Sequence, residues 1–191
     1  MSIFLKYKEG EDYCGDRYLL LQRGNGALHV MIDGVGHGKE ASAVADIACS
    51  SISSSSDVPL IDIIRGCELA LLGTRGIVIS FVMCVLGKNI LNYYSVGNIE
   101  TVLIGPDKII HLKRRPGIFG AKKLPVHIDS MLIPAESKLL MFTDGVDELP
   151  ISNQRLLRHM NSRHIVQALS NQWQGRDDIC IFCEKLPYES N

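Results

Sequence analysis

Apolar positions change their period along this chain, and the changes mark out its elements. Before residue 33 they form short runs of strand length, over 2–7, 17–22 and 27–32. From Lys39 to about Ser53 the spacing becomes helical, with Ala41, Val44, Ala45, Ala48, Cys49 and Ile52 on one face. A second helix is predicted from near Pro59 to about Leu72, with proline at its start and Leu60, Ile63, Ile64, Cys67 and Leu71 on its apolar side. The serine-rich run Ser50 to Ser56 between them reads as a loop or a frayed helix end. After Gly73 the pattern is β-rich, over 76–86, 90–96, 101–104, 108–112, 126–133 and 138–143. Gly87-Lys88-Asn89 is a connection of hairpin type. Helices over 151–160 and 162–172 are predicted to precede a last strand over 178–184.

This order matches no parallel βαβ repeat, and it favours an α+β fold in which antiparallel sheets are flanked by helices. A length of 191 residues fits one domain, 1–191, with a full core. Formal net charge is −1, so no basic field would attract DNA or RNA, and no nucleic-acid partner is expected. The longest nearly uncharged apolar stretch, Gly76 to Gly87, is too short to span a bilayer, and no targeting segment precedes Lys6. A soluble, unexported, cytoplasmic protein without a membrane partner is expected. Cys49, Cys67, Cys84 and Cys180 lie in apolar segments, as reduced core thiols do. Cys180 and Cys183 have CxxC spacing, but on a strand they point to opposite faces and cannot share a metal.

The chemistry begins where the third apolar run ends, at Asp33-Gly34-Val35-Gly36-His37-Gly38. A buried strand followed by glycines aims Asp33 from a rigid edge. Asp16, in Cys14-Gly15-Asp16, Asp144, in Thr143-Asp144-Gly145, and Asp177 are its potential companions, and such a set suggests hard oxygen ligands. Manganese and magnesium prefer these donors, and two such ions can clamp an in-line displacement at phosphorus. Gly34 to Lys39 superficially suggests a nucleotide loop, but Glu40 stands where a Ser or Thr should follow the lysine.

Gly15-Asp16, Asp33 to Gly38, Thr143-Asp144-Gly145-Val146 and Asp177-Asp178-Ile179 resemble, in order and approximate spacing, the protein phosphatase 2C superfamily in its bacterial sporulation stage II E branch. The resemblance implies a metal-dependent serine/threonine phosphatase on a four-layer αββα sandwich, with the site at one edge between two antiparallel sheets. It implies two Mn²⁺ or Mg²⁺ ions bridged by Asp33 with the Gly34 carbonyl, Asp16 completing one side and Asp144 with Asp177 the other. Thr74-Arg75-Gly76 and Tyr94-Ser95-Val96-Gly97-Asn98 add a likeness to small feedback phosphatases of the stressosome, whose substrates are phosphorylated STAS-domain proteins. Where eukaryotic members carry a histidine two positions after the bridging aspartate this chain has Val35, with His37 two further on.

His37 is therefore a candidate acid or substrate-orienting group beside Asp33. Asp178 would face away from Asp177 on a strand and reads as a helper or a surface residue. Arg114 and Arg115, in the Lys113 to Gly120 loop, can recognise phosphate or an acidic partner, since guanidinium forks suit both, or can simply be solvated. Neither Cys14 nor any serine has an evident base partner, so the expected nucleophile is water acidified by the metals. A phosphatase-fold scaffold that binds a phosphorylated partner without catalysis is the alternative, and the retention of aspartate at every matched ligand position weighs against it.

Overall fold

The computed structural model describes residues 1–24, 26–55, 58–85, 87–147, 149 and 154–187. Among these, one antiparallel sheet contains β1 (Ser2–Lys6), β6 (Glu100–Ile104), β7 (Ile109–His111), β9 (Lys138–Phe142) and β10 (Ile179–Lys185), in the order β1-β10-β9-β6-β7. The other contains β2 (Asp16–Arg23), β3 (Gly26–Gly34), β4 (Ile77–Val85), β5 (Ile90–Val96) and β8 (Asp129–Leu132), in the order β2-β3-β4-β5-β8. Helices α1 (Gly38–Ser54) and α2 (Leu60–Ala70) cover the second sheet, while α3 (Gln154–His159) and α4 (Ser162–Ser170) accompany the first. This is the expected αββα sandwich.

Strand alternation builds its three apolar layers. In β3, Leu28, Val30 and Ile32 pack against Val44, Ala48 and Ile52 of α1 and Ile63, Ile64 and Cys67 of α2. Met31, on the opposite face of β3, joins Val82, Met141, Cys180 and Phe182 between the sheets. Ile179, Ile181 and Cys183 of β10 point outward to Ile165, Val166 and Leu169 of α4. Cys180 and Cys183 thus occupy different layers, as their strand spacing requires. α1 begins after His37 with no side-chain cap. A missing cap forgoes about 1 kcal/mol, whereas burying one Val or Ile side chain supplies about 1.5–3 kcal/mol. Core packing therefore holds the helix, and the loop before it is left to be shaped by other needs.

Some boundaries differ from the sequence reading. The serine-rich run belongs to α1 as far as Ser54, because Ile52 is fully buried and keeps the last turn docked. Of the predicted 126–133 strand only Asp129–Leu132 pairs, with β5, while Val126 and Ile128 pack on the helix-side core without a ladder. Residues 151–153 of the predicted helix lie outside the described residues. The Lys113 to Gly120 segment is pinned to the second sheet: Arg115 bonds to Ser95 and Gly97, and Phe119, fully buried, exchanges both backbone hydrogen bonds with Ile77. Among the described residues, no helix is long and apolar enough to cross a membrane.

Candidate metal centre

Antiparallel register sets Asp16, the first residue of β2, directly opposite Asp33 near the end of β3. Asp33 shares a face with Met31, so its carboxylate lies at the edge of the space between the sheets. Asp144 follows β9 and Asp177 precedes β10, and these two strands are adjacent in the facing sheet. A cavity of about 200 Å³ is lined by Asp33, Asp144, Asp177, His37 and Asn98, among others. Asp16 sits behind it, buried, while Asp144 and Asp177 are exposed at the mouth.

Glycines allow the helix to start close behind this edge. A Cβ on Gly34 would lie 2.3 Å from the carbonyl oxygen of Ala41, so only glycine lets α1 pack there. Gly36 and Gly38 have φ of 87° and 73°, in the left-handed region, which turns the chain sharply between strand and helix. The loop is then tied on several sides: Gly34 donates to Gly15, Val35 to Gly76, and Arg75 Nη1 to the Val35 carbonyl at 3.0 Å. Arg75 also pairs with Glu40 of α1 at 2.5 Å, and His37 Nδ1 meets Glu11 at 2.5 Å.

A chain of polar contacts orients the carboxylates. Thr143 donates its hydroxyl to Asp16 Oδ2 at 2.7 Å across the two sheets and accepts from the Cys180 N–H at 2.8 Å. Asn98 Nδ2 donates to Asp144 Oδ2 at 2.7 Å. Asp178 is buried and accepts from the Lys8 N–H at 2.8 Å and the Gly15 N–H at 2.6 Å, which fixes the turn that delivers Asp16. It is a helper, and it is not on the surface. Sequence reasoning quoted Thr143, Arg75 and Asn98 within motifs but gave them no role, and it did not single out Glu11. Thr143 adjoins a quoted aspartate and Asn98 follows a glycine at a strand end, but neither position states its partner.

The electrostatics are those of a site short of positive charge. Burial and then the Asp33 charge hold the Asp16 carboxyl well above its usual range, and the Thr143 hydrogen bond offsets only part of this. Asp33 is pushed up to about 8 by burial first and then by Asp144, Asp177 and Asp178. Asp144 is raised by burial and by Asp177. Among the described residues, none of these four aspartates pairs with a Lys, Arg or His. The donor set fits a hard divalent cation, for which carboxylates and a backbone carbonyl such as that of Gly34 are the natural ligands. Among the described residues no three His, Cys, Asp or Glu side chains close into an all-protein cage. Burial and the Asp16 charge push the Cys14 thiol up to about 12, so it is no nucleophile at neutral pH.

The two arginines part company. Arg114 reaches the Asn98 carbonyl at 2.7 Å and Glu100 at 2.5 Å, and it lines a cleft of about 460 Å³ that shares Asn98 and Asp144 with the carboxylate cavity. Arg115 instead pairs with Asp129 at 2.7 Å and lies over the Tyr94 ring, so it braces the second sheet away from that cleft.

A family model described as Stage II sporulation protein E (SpoIIE) matches residues 24–187. The chain belongs to the SpoIIE family. Phosphoserine phosphatase RsbX of Bacillus subtilis (strain 168) is 22% identical over 185 residues, which span 94% of this chain and 90% of RsbX. The crystal structure of RsbX in complex with magnesium superposes with a TM-score of 0.83 at 21% identity, over 97% of this chain and 94% of that one. A chain from a structural study of the bacterial stressosome, as a modular system adapted to control secondary messenger signalling, gives 0.82 at 28% identity, over 95% and 96% of the two chains. The PP2C phosphatase domain of SpoIIE from Bacillus subtilis gives 0.82 at 16% identity, over all of this chain and 62% of that one. The fold of this SpoIIE-family chain is thus the PP2C phosphatase fold.

The raised carboxyls give a pH dependence with a definite sign. The folded protein holds the Asp33 proton more tightly than the unfolded chain, whose carboxyl has the ordinary value of about 4. Its contribution is present at low pH and is lost as pH rises through about 8. In chelator, wild type should therefore lose stability from pH 5 to 9, and Asp33→Asn should lose less. At pH 8.5 the variant should be the more stable by at least about 1 kcal/mol in urea unfolding. Parallel pH profiles for the two proteins would contradict this.

Proposed function

We propose that this chain hydrolyses phosphoserine or phosphothreonine on a protein partner in a reaction that depends on two divalent cations, Mn²⁺ or Mg²⁺. The observation that carries the reading is the gathering of four aspartates from both sheets at one edge, without basic partners among the described residues, next to a cleft of about 460 Å³. Asp33 would bridge the cations with the Gly34 carbonyl, Asp16 would complete one position, and Asp144 with Asp177 the other. Divalent cations at such carboxylates supply positive charge for the phosphoryl oxygens and lower the pKa of water.

The chain's own residues do the rest. Thr143 and Asn98 orient Asp16 and Asp144, and Arg75 and Glu11 tie down the loop after Asp33 through Val35 and His37. In hydrolysis an oxygen of water bonds to phosphorus, the bond from phosphorus to the serine oxygen breaks, and that oxygen takes up a proton. His37 lines the cavity with Nδ1 engaged by Glu11, so its other ring nitrogen is the one left to give that proton. Arg114 stands where residues flanking the phosphorylated side chain would pass. The similarity to RsbX and to a stressosome chain supports a phosphorylated STAS-domain protein of a stressosome-like complex as the partner.

Phosphate release from p-nitrophenyl phosphate and from phosphorylated STAS-domain proteins tests this. Activity should require Mn²⁺ or Mg²⁺, and Asp33→Asn should lower turnover at saturating metal by at least about a hundredfold, ~2.7 kcal/mol. Wild-type turnover in that variant would refute the metal assignment, and no metal-dependent release from any phosphoprotein would favour a non-catalytic scaffold. Arg114→Ala should lower kcat/KM for the phosphoprotein by about tenfold, ~1.4 kcal/mol, with little change for p-nitrophenyl phosphate. Equal losses on both substrates would move Arg114 to the phosphate itself.

A further inference from the structure

A separate cavity lies at the opposite end of the first sheet from the carboxylates. β9 runs from Lys138 toward Asp144, so its start is roughly 20 Å from the metal centre along the strand. There a cavity of about 200 Å³ is lined by Pro106, Glu136, Lys138, Arg158, His159 and Lys185. We propose that this cavity binds a tetrahedral oxyanion, either free phosphate or a phosphoryl group carried on a chain, through Lys138, Arg158 and Lys185.

Three separate elements converge their cations on this space: β9 with Lys138, α3 with Arg158 and β10 with Lys185. Among the described residues, Glu136 is the one acid lining it. Like charges brought together by a fold cost free energy unless an anion joins them. Lys138 donates to the Arg158 carbonyl at 2.9 Å, and burial, with the Lys185 charge, lowers its pKa while Cys183 and Glu136 act against them. Arg158 is anchored through Nη1, which donates to the carbonyls of Pro106 and Asp107, so its guanidinium is held in place beside the cavity. A guanidinium fork held there suits phosphate geometry.

Glu136 supplies a counter-charge that an anion could replace. Its φ of 59° is in the left-handed region, which a glutamate adopts at some cost. It pairs with Lys185, but both side chains are mostly exposed, at 68% and 60%, so the pair is weak. An entering oxyanion would take over Lys185 and release Glu136. The inference stands on this cavity alone and does not rest on the phosphatase reading.

Amide NMR of the full chain in chelator, titrated at constant ionic strength, tests it. Inorganic phosphate should produce saturable shifts around Lys138, Arg158 and Lys185. Lys185→Gln should weaken that binding by at least about fivefold while p-nitrophenyl phosphate turnover stays at the wild-type value. Arg158→Gln removes two anchoring bonds and is the less conservative variant, so Lys185→Gln is the primary one. A phosphoserine peptide in the same titration distinguishes the sources: saturation by it as well as by phosphate identifies a chain-borne group, and saturation by phosphate alone identifies the free ion, each in support. Shifts that grow without saturation, or that are the same in Lys185→Gln, would overturn the site.

Discussion

The rest of the structure answers to one repulsion, that between Asp16 and Asp33. Register sets them directly opposite on neighbouring strands, one buried and the other largely so. Like charges in that relation are destabilising even on an exposed sheet, and burial makes them more so. A chain selected only for stability would place an apolar or neutral residue at one of the two positions. Both are present here, with Asp144 and Asp177 nearby, and divalent cations are what would offset such a concentration of negative charge.

The surrounding contacts make sense as supports for that arrangement. Thr143 spans the two sheets to hold Asp16, and Asp178 gathers the N–H groups of Lys8 and Gly15, so the edge strand β1 and the start of β2 are both tied to β10. Gly34 lets α1 approach, and Arg75 holds the loop that follows by its Val35 carbonyl. Burial decreases outward from Asp16 to the exposed Asp144 and Asp177, which gives the centre a rigid back and an open front. The 460 Å³ cleft continues from that front through Asn98 and Asp144 toward Arg114. The cleft and the carboxylate cavity therefore share two side chains, Asn98 and Asp144.

Much of this was legible in the sequence because it is local. The change from strand runs to helical spacing at Lys39, and the glycines after Asp33, announce a strand, a sharp turn and a helix in residues that are neighbours in the chain. The aspartates could be matched by order and spacing. What could not be read was pairing at a distance: that β1 would join β10, that Thr143 would reach Asp16 across 127 positions, or that Asn98 would hold Asp144. Adjacent residues also diverge in ways composition does not reveal. Arg114 and Arg115 look alike in sequence, yet the bridge between Arg115 and Val96 binds the latter to the second sheet and sends its guanidinium to Asp129. The segment around Phe119 read as a surface loop because its pairing with Ile77 is likewise nonlocal.

Anomalous diffraction from crystals grown with manganese tests the central claim most directly, because it locates the cations without relying on activity. Two peaks beside the Asp33 carboxylate, one also next to Asp16 and the other next to Asp144 and Asp177, are the predicted result. Saturating manganese with no peak at Asp33, or peaks only at carboxylates elsewhere on the chain, would contradict the account.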